Sequence, residues 1–79
     1  MSAKSHAQCI QYRGYVVRVR CFSIGEPDES QWTIEVDVAR VGASPLLRHR
    51  DASHRFVALA EAEQAGFTWG RREVDQMLL

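Results

Sequence analysis

The sequence predicts an α+β domain, an antiparallel sheet of about three strands packed against one C-terminal α-helix. Three observations carry that expectation. Residues 32–41 give the cleanest alternation in the chain, with Trp32, Ile34, Val36 and Val38 on one side and Thr33, Glu35 and Asp37 on the other, as in a half-buried antiparallel strand. Residues 10–22 are rich in valine and aromatic side chains, and Tyr15, Val17, Val19 and Cys21 share one side against Arg18 and Arg20. Residues 56–77 then change period. At about 100° per residue, Ala58, Leu59, Ala62, Ala65, Gly66, Trp69, Gly70 and Met77 fall on one arc, with Glu61, Gln64, Thr68, Arg71, Arg72 and Asp75 opposite.

Within the first strand Gly14 interrupts the pattern and reads as a bulge or bend, so that Ile10 and Tyr12 face the core despite their opposite parity. Residues 23–31 have a turn-forming composition with an acidic tip at 26–29 and read as a hairpin loop. Matching the apolar sides of the two strands fixes the parity of their register. The loop length then sets Val19 near Val36, Cys21 near Ile34, Arg20 near Glu35 and Arg18 near Asp37. After a turn at 42–45 the chain becomes basic, and either 46–50 or 54–57 carries the third strand.

The helix starts without a side-chain cap, because Ala58 stands where Ser, Thr or Asp would be expected. Gly66 and Gly70 are four residues apart, so they stack on one side and let the backbone seat closely on the sheet. Trp69 reads as a core anchor. Glu73 falls within the apolar arc, so either the helix frays near Arg72 or the carboxylate meets an arginine from the sheet. The expected core is Val17, Val19, Ile34, Val36, Val38, Phe56, Leu59, Ala62 and Trp69.

Seventy-nine residues allow one domain, near the lower limit for a sufficient core. Residues 1–7 read as a disordered tail and 8–79 as the domain. Ten basic and ten acidic residues balance, so the molecule lacks the overall positive field of a general nucleic-acid binder. No apolar run follows the polar start, and none approaches a membrane span, which gives a cytoplasmic expectation with no membrane partner. Cys9 and Cys21 have neither metal-ligand nor redox spacing and read as free thiols, with Cys21 buried.

No glycine-rich phosphate loop, nucleophile elbow or carboxylate pair with a base is present, so the expectation is a non-catalytic protein without a cofactor. His49 and His54 stand among fixed positive charges, a poor setting for a metal. Arg48, His49, Arg50, His54 and Arg55 form the candidate binding segment, since arginine pairs with phosphate and carboxylate groups. The alternative is a solvated loop that balances the acidic 26–29 tip. Arg13, Arg18 and Arg20 form a second candidate, a nucleic-acid face on the sheet, against which stands the pairing of Arg20 to Glu35 and of Arg18 to Asp37.

With Tyr12-Arg13-Gly14-Tyr15 and the run from Ala62 through Gly66, Trp69-Gly70-Arg71 and Val74-Asp75, about half the chain resembles a group of small uncharacterised proteobacterial proteins. That resemblance implies a short antiparallel sheet followed by one C-terminal helix, and no activity. Tyr12-Arg13-Gly14, Trp32 with Glu35-Val36, and Phe56 with Glu61, Ala62 and Ala65 also resemble, more weakly, the DNA-binding domain of plant ethylene-response factors and phage integrases. The second resemblance implies DNA contact by Arg13, Arg18, Arg20 and Trp32.

The functional expectation is a binding or assembly module that contacts a protein partner, or a second copy of itself, through a sheet edge or the apolar 77–79 end. Nucleic-acid binding through the arginines is the alternative.

Overall fold

Arg13 and Gly14 divide the first expected strand into two, β1 (Ser5–Tyr12) and β2 (Tyr15–Ile24), joined by a two-residue turn. Both turn residues have positive φ, 53° at Arg13 and 86° at Gly14. Such a turn matches the right-handed twist of paired strands, and glycine adopts it at no steric cost. Gly14 is therefore the corner of a hairpin, not a bulge or bend. The structure, a computed structural model, describes residues 5–24 and 31–79. β1 begins at Ser5, so Ser5, His6 and Ala7 belong to a strand and not to the expected tail. The expected acidic tip at 26–29 lies outside the described residues.

Two further strands follow, β3 (Gln31–Arg40) and β4 (Pro45–Phe56), and then helix α1 (Leu59–Met77). The strands form one antiparallel sheet in the order β1-β2-β3-β4, a meander in which each strand pairs with its neighbour in sequence. The β2–β3 register is the expected one, with Val19 opposite Val36, Cys21 opposite Ile34, Arg20 opposite Glu35 and Arg18 opposite Asp37. Among the described residues the sheet has four strands where about three were expected, because the hairpin adds β1. β4 runs through both segments proposed for the third strand, with register shifts between Trp32 and Ile34 and between Val38 and Ala39.

One face of the sheet and α1 enclose the core of Tyr15, Val17, Val19, Cys21, Trp32, Ile34, Val36, Val38, Ala62 and Val74. Val17, Val19, Val36, Val38 and Val74 are fully buried, each stabilising the fold by roughly 1.5–3 kcal/mol relative to exposure. Phe56, Leu59 and Trp69 pack against this core but are only partly buried, as are Ile10 and Tyr12 on β1. The buried stripe of α1 is Ala62, Gly66, Gly70 and Val74, one residue every turn. A Cβ placed on Gly66 would lie 2.5 Å from Val19 Cγ1, and one on Gly70 would collide with Val17 Cγ1. The two glycines thus let the helix backbone rest directly on valine side chains.

Two expectations for the helix are corrected. Ala58 and Met77 are exposed, since the stripe is centred on Gly66, Gly70 and Val74. Glu73 sits half-buried at its flank, the helix does not fray there, and no ion pair among the described residues includes it. Ala58 does occupy the N-cap position without a side-chain hydrogen bond, and Glu61 in the first turn complements the dipole.

Candidate interaction surface

The helix covers one face of the sheet only. On the other, strand alternation and register align the charged side chains in rows. Arg18 on β2 lies opposite Asp37 on β3, which lies opposite Arg48 on β4. The next row runs Arg20, Glu35, Arg50. A central pair of carboxylates therefore stands between two columns of arginine, about 10 Å apart across two strand spacings. Asp37 is buried on this face, although α1 packs on the other. Its Oδ1 accepts a 2.9 Å hydrogen bond from Arg48 Nε, whereas the Arg20 to Glu35 contact is longer at 3.6 Å.

Among the described residues, Arg18 and Arg50 form no ion pair. Arg18 faces Asp37 in register, as expected, but the carboxylate turns to Arg48 on the other side. Beside Arg18 a shallow concavity is framed by Asp37, Arg40 and the 42–45 turn.

The candidate segment of Arg48, His49, Arg50, His54 and Arg55 is not a loop and does not form one patch. It lies in β4, where alternation sends Arg48 and Arg50 to the open face and His49 to the helix side. There His49 stacks on Trp69, with ring centroids 4.6 Å apart and planes 15° from parallel. Trp69 is thus a half-buried lid on the β4 side of the core. His54 Nδ1 lies 2.9 Å from Asp51 Oδ2, and the His54 amide donates to Asp51 Oδ1, a local turn bond. Arg55 is exposed.

The second candidate set is also divided. Arg18 and Arg20 share the open face, while Arg13 leaves the turn toward the helix and pairs with Asp75 at 2.7 Å. Tyr12 Oη donates to the same carboxylate at 2.9 Å. The Arg13 guanidinium and the Tyr12 hydroxyl hold the Asp75 carboxyl below its ordinary range, and the hydrogen bond to that carboxylate raises the Tyr12 phenol. This three-residue clasp fixes the end of α1 to the first hairpin. Sequence reasoning placed Asp75 on the exposed arc and gave it no partner. Trp32 is buried on the helix side, with the His6 ring edge-on at 5.7 Å.

The two edges of the sheet differ in kind. β4 begins with Pro45, carries Arg48, Arg50, Asp51 and Arg55, and is irregular in register, all features that discourage pairing with another strand. β1 has none of them. Its sequence, Ser5-His6-Ala7-Gln8-Cys9-Ile10-Gln11-Tyr12, contains no proline and no Asp, Glu, Lys or Arg, and it pairs with β2 over eight consecutive residues without a shift. Among the described residues nothing pairs with its outer side.

Cys9 is exposed on β1 and Cys21 buried on β2, both free thiols. Burial, and secondarily the nearby Glu63 carboxylate, push the Cys21 thiol up to about 11. No described helix is long and apolar enough to cross a membrane. Among the described residues no three His, Cys, Asp or Glu side chains come together as a metal site would require. No family model, curated protein or solved structure matches the chain.

Proposed function

We propose that this protein is a non-catalytic binding module that works in the cytoplasm by accepting an added strand on the outer side of β1. The observation that carries this reading is the contrast between its edges, one blunted by proline, charge and irregular pairing, the other neutral, straight and open. Added strands draw affinity from main-chain hydrogen bonds and specificity from alternate side chains. The free thiols suit a reducing compartment.

The backbone alternation of the hairpin identifies the groups available for pairing. A two-residue turn is closed by a hydrogen-bonded pair, here Tyr12 and Tyr15, so Ile10, Gln8 and His6 also direct their backbone groups toward β2. Ser5, Ala7, Cys9 and Gln11 direct theirs outward. Proline at Ala7 therefore removes an outward donor and leaves the β1–β2 ladder intact. Extended peptides selected on the wild-type chain should bind it and lose at least tenfold in affinity on Ala7→Pro. Peptides that bind both equally would refute the reading.

A second reading, nucleic-acid binding by the open face, is favoured by one observation. Four arginines there face two carboxylates, and Arg18 and Arg50 have no ion pair among the described residues. Titration with random duplex DNA and single-stranded RNA over a range of salt tests it. Affinity that falls steeply with salt, and that Arg18→Ala and Arg50→Ala weaken, supports it. No binding at low salt to a folded sample eliminates general affinity for nucleic acid.

A further inference from the structure

Building on the strand-addition reading, we propose that the strand added to β1 is β1 of a second copy, antiparallel across a two-fold axis within one residue of Cys9. The product is an eight-stranded sheet carrying both helices on one side.

The chemistry of the edge selects this partner. An antiparallel edge is self-complementary under a two-fold axis, because the outward donors and acceptors of Ser5, Ala7, Cys9 and Gln11 meet the same groups running the other way. Self-pairing sets no like charges against each other, since residues 5–12 carry no Asp, Glu, Lys or Arg. The chain as a whole has ten basic and ten acidic residues, so two copies approach without net repulsion.

Side-chain parity then fixes the direction of the axis. In β1, His6, Gln8, Ile10 and Tyr12 share the helix side, because they lie opposite Cys21, Val19, Val17 and Tyr15. An axis normal to the sheet keeps these residues of both copies together. An axis in the plane of the sheet, along the strands, would pair the two edges parallel and set these residues among the partner's open-face residues. The normal axis also covers a side that α1 leaves open. Ile10 is only half-buried, Gln8 is exposed, and Tyr12 at the end of β1 lines a groove with Thr68, Arg72, Gln76 and Leu79. In the dimer this groove receives the His6 end of the partner strand.

The same parity allows two registers, with the axis at Cys9 or at Gln8. They place the two Cys9 side chains about 5.5 Å apart, directly opposite, or roughly 9 Å apart, offset by two residues. Either spacing lies within reach of a short bis-maleimide. Cys21, fully buried, stays outside the reaction.

Sedimentation of the full chain over a concentration series, with bis-maleimide treatment of the same samples, tests the proposal. The expected result is a monomer–dimer equilibrium and a covalent dimer that Cys9→Ser abolishes without changing sedimentation. Ala7→Pro should raise the dimer dissociation constant at least tenfold while retaining the wild-type circular dichroism. Should that variant not fold, Cys9→Lys, which puts like charges on the seam at an exposed position, directly opposite or offset by two residues, must produce the same loss. A chain that is monomeric at every concentration overturns the second copy as partner and leaves strand addition to be decided by the peptide selection. A dimer that survives both substitutions, or that does not cross-link through Cys9, overturns the edge as its interface.

Discussion

Tyr12 and Asp75 stand 63 residues apart and share a hydrogen bond of 2.9 Å, which ties the first hairpin to the last turns of the helix. Arg13 completes the contact at 2.7 Å. Tyr12→Phe and Asp75→Asn should each lower the melting temperature, and the double variant should lose less than the sum, because one contact is broken in both cases. The pH dependence follows from the directions of the shifts. Asp75 is held below its ordinary 3.8, so its contribution is present above that value and is lost as pH falls through the lower folded-state value. Tyr12 is raised above 10.0, so its contribution is present below that value and is lost as pH rises past it. Melting curves of Asp75→Asn and wild type should differ at neutral pH and converge in acid.

Gly66 and Gly70 should reject alanine although alanine is the better helix former. Helix propensity favours the exchange by about 1 kcal/mol, but overpacking against a stiff, fully buried valine costs roughly 1–3 kcal/mol. Urea denaturation should show net destabilisation for both variants. Val19→Ala combined with Gly66→Ala should recover part of the loss, since the collision is with Val19 itself. Equal or greater stability of Gly66→Ala alone would show that the helix does not rest on that side chain.

Removal of the Asp37 carboxylate should cost more than removal of its partner. Asp37 is buried between Arg18 and Arg48, whereas Arg48 is largely exposed. Asp37→Ala is expected to destabilise by about 1–3 kcal/mol and Arg48→Ala by about 1 kcal/mol or less. Chemical denaturation of the two variants measures the order, and a larger loss for Arg48→Ala would reverse the assignment.

The two thiols should separate in a reactivity assay. At pH 8 a chromogenic disulfide should titrate Cys9 rapidly in the native protein and Cys21 only on unfolding, because the thiolate is the reactive species and Cys21 is both buried and raised to about 11. The raised value also favours the folded state. That contribution is present below the ordinary 9.0 and is lost as pH climbs through 11.

Much of this architecture is legible in residues 15–40, where strict alternation and matched apolar sides determine which residues of β2 meet which of β3. The close seating of Gly66 and Gly70 is legible in part, since a four-residue spacing puts both on one helical side, and the structure decides it against a hinge or a ligand contact by setting them on Val19 and Val17. β1 is not, because its helix side is only half covered and tolerates Gln8 and His6, which blurs the alternation. Arg13-Gly14 carries the missing signal, a two-residue segment able to hold positive φ between strand-like runs. β4 is obscured by its arginines and histidines, whose alternation is plain only once Asp37 and Glu35 are seen opposite them. The scattering of the 48–55 cluster to both faces follows directly from that strand. The Tyr12, Arg13 and Asp75 clasp joins elements distant in the chain, and no local pattern encodes it.

The four described strands all precede the helix that covers them. During synthesis each hairpin can close as soon as its second strand emerges, yet the valine side of the sheet then waits, wet and adhesive, until the Gly66–Val74 stripe has left the ribosome. The chain is thus most vulnerable with its strands complete and its lid still unmade, and a chain truncated before Leu59 should aggregate through that uncovered valine side.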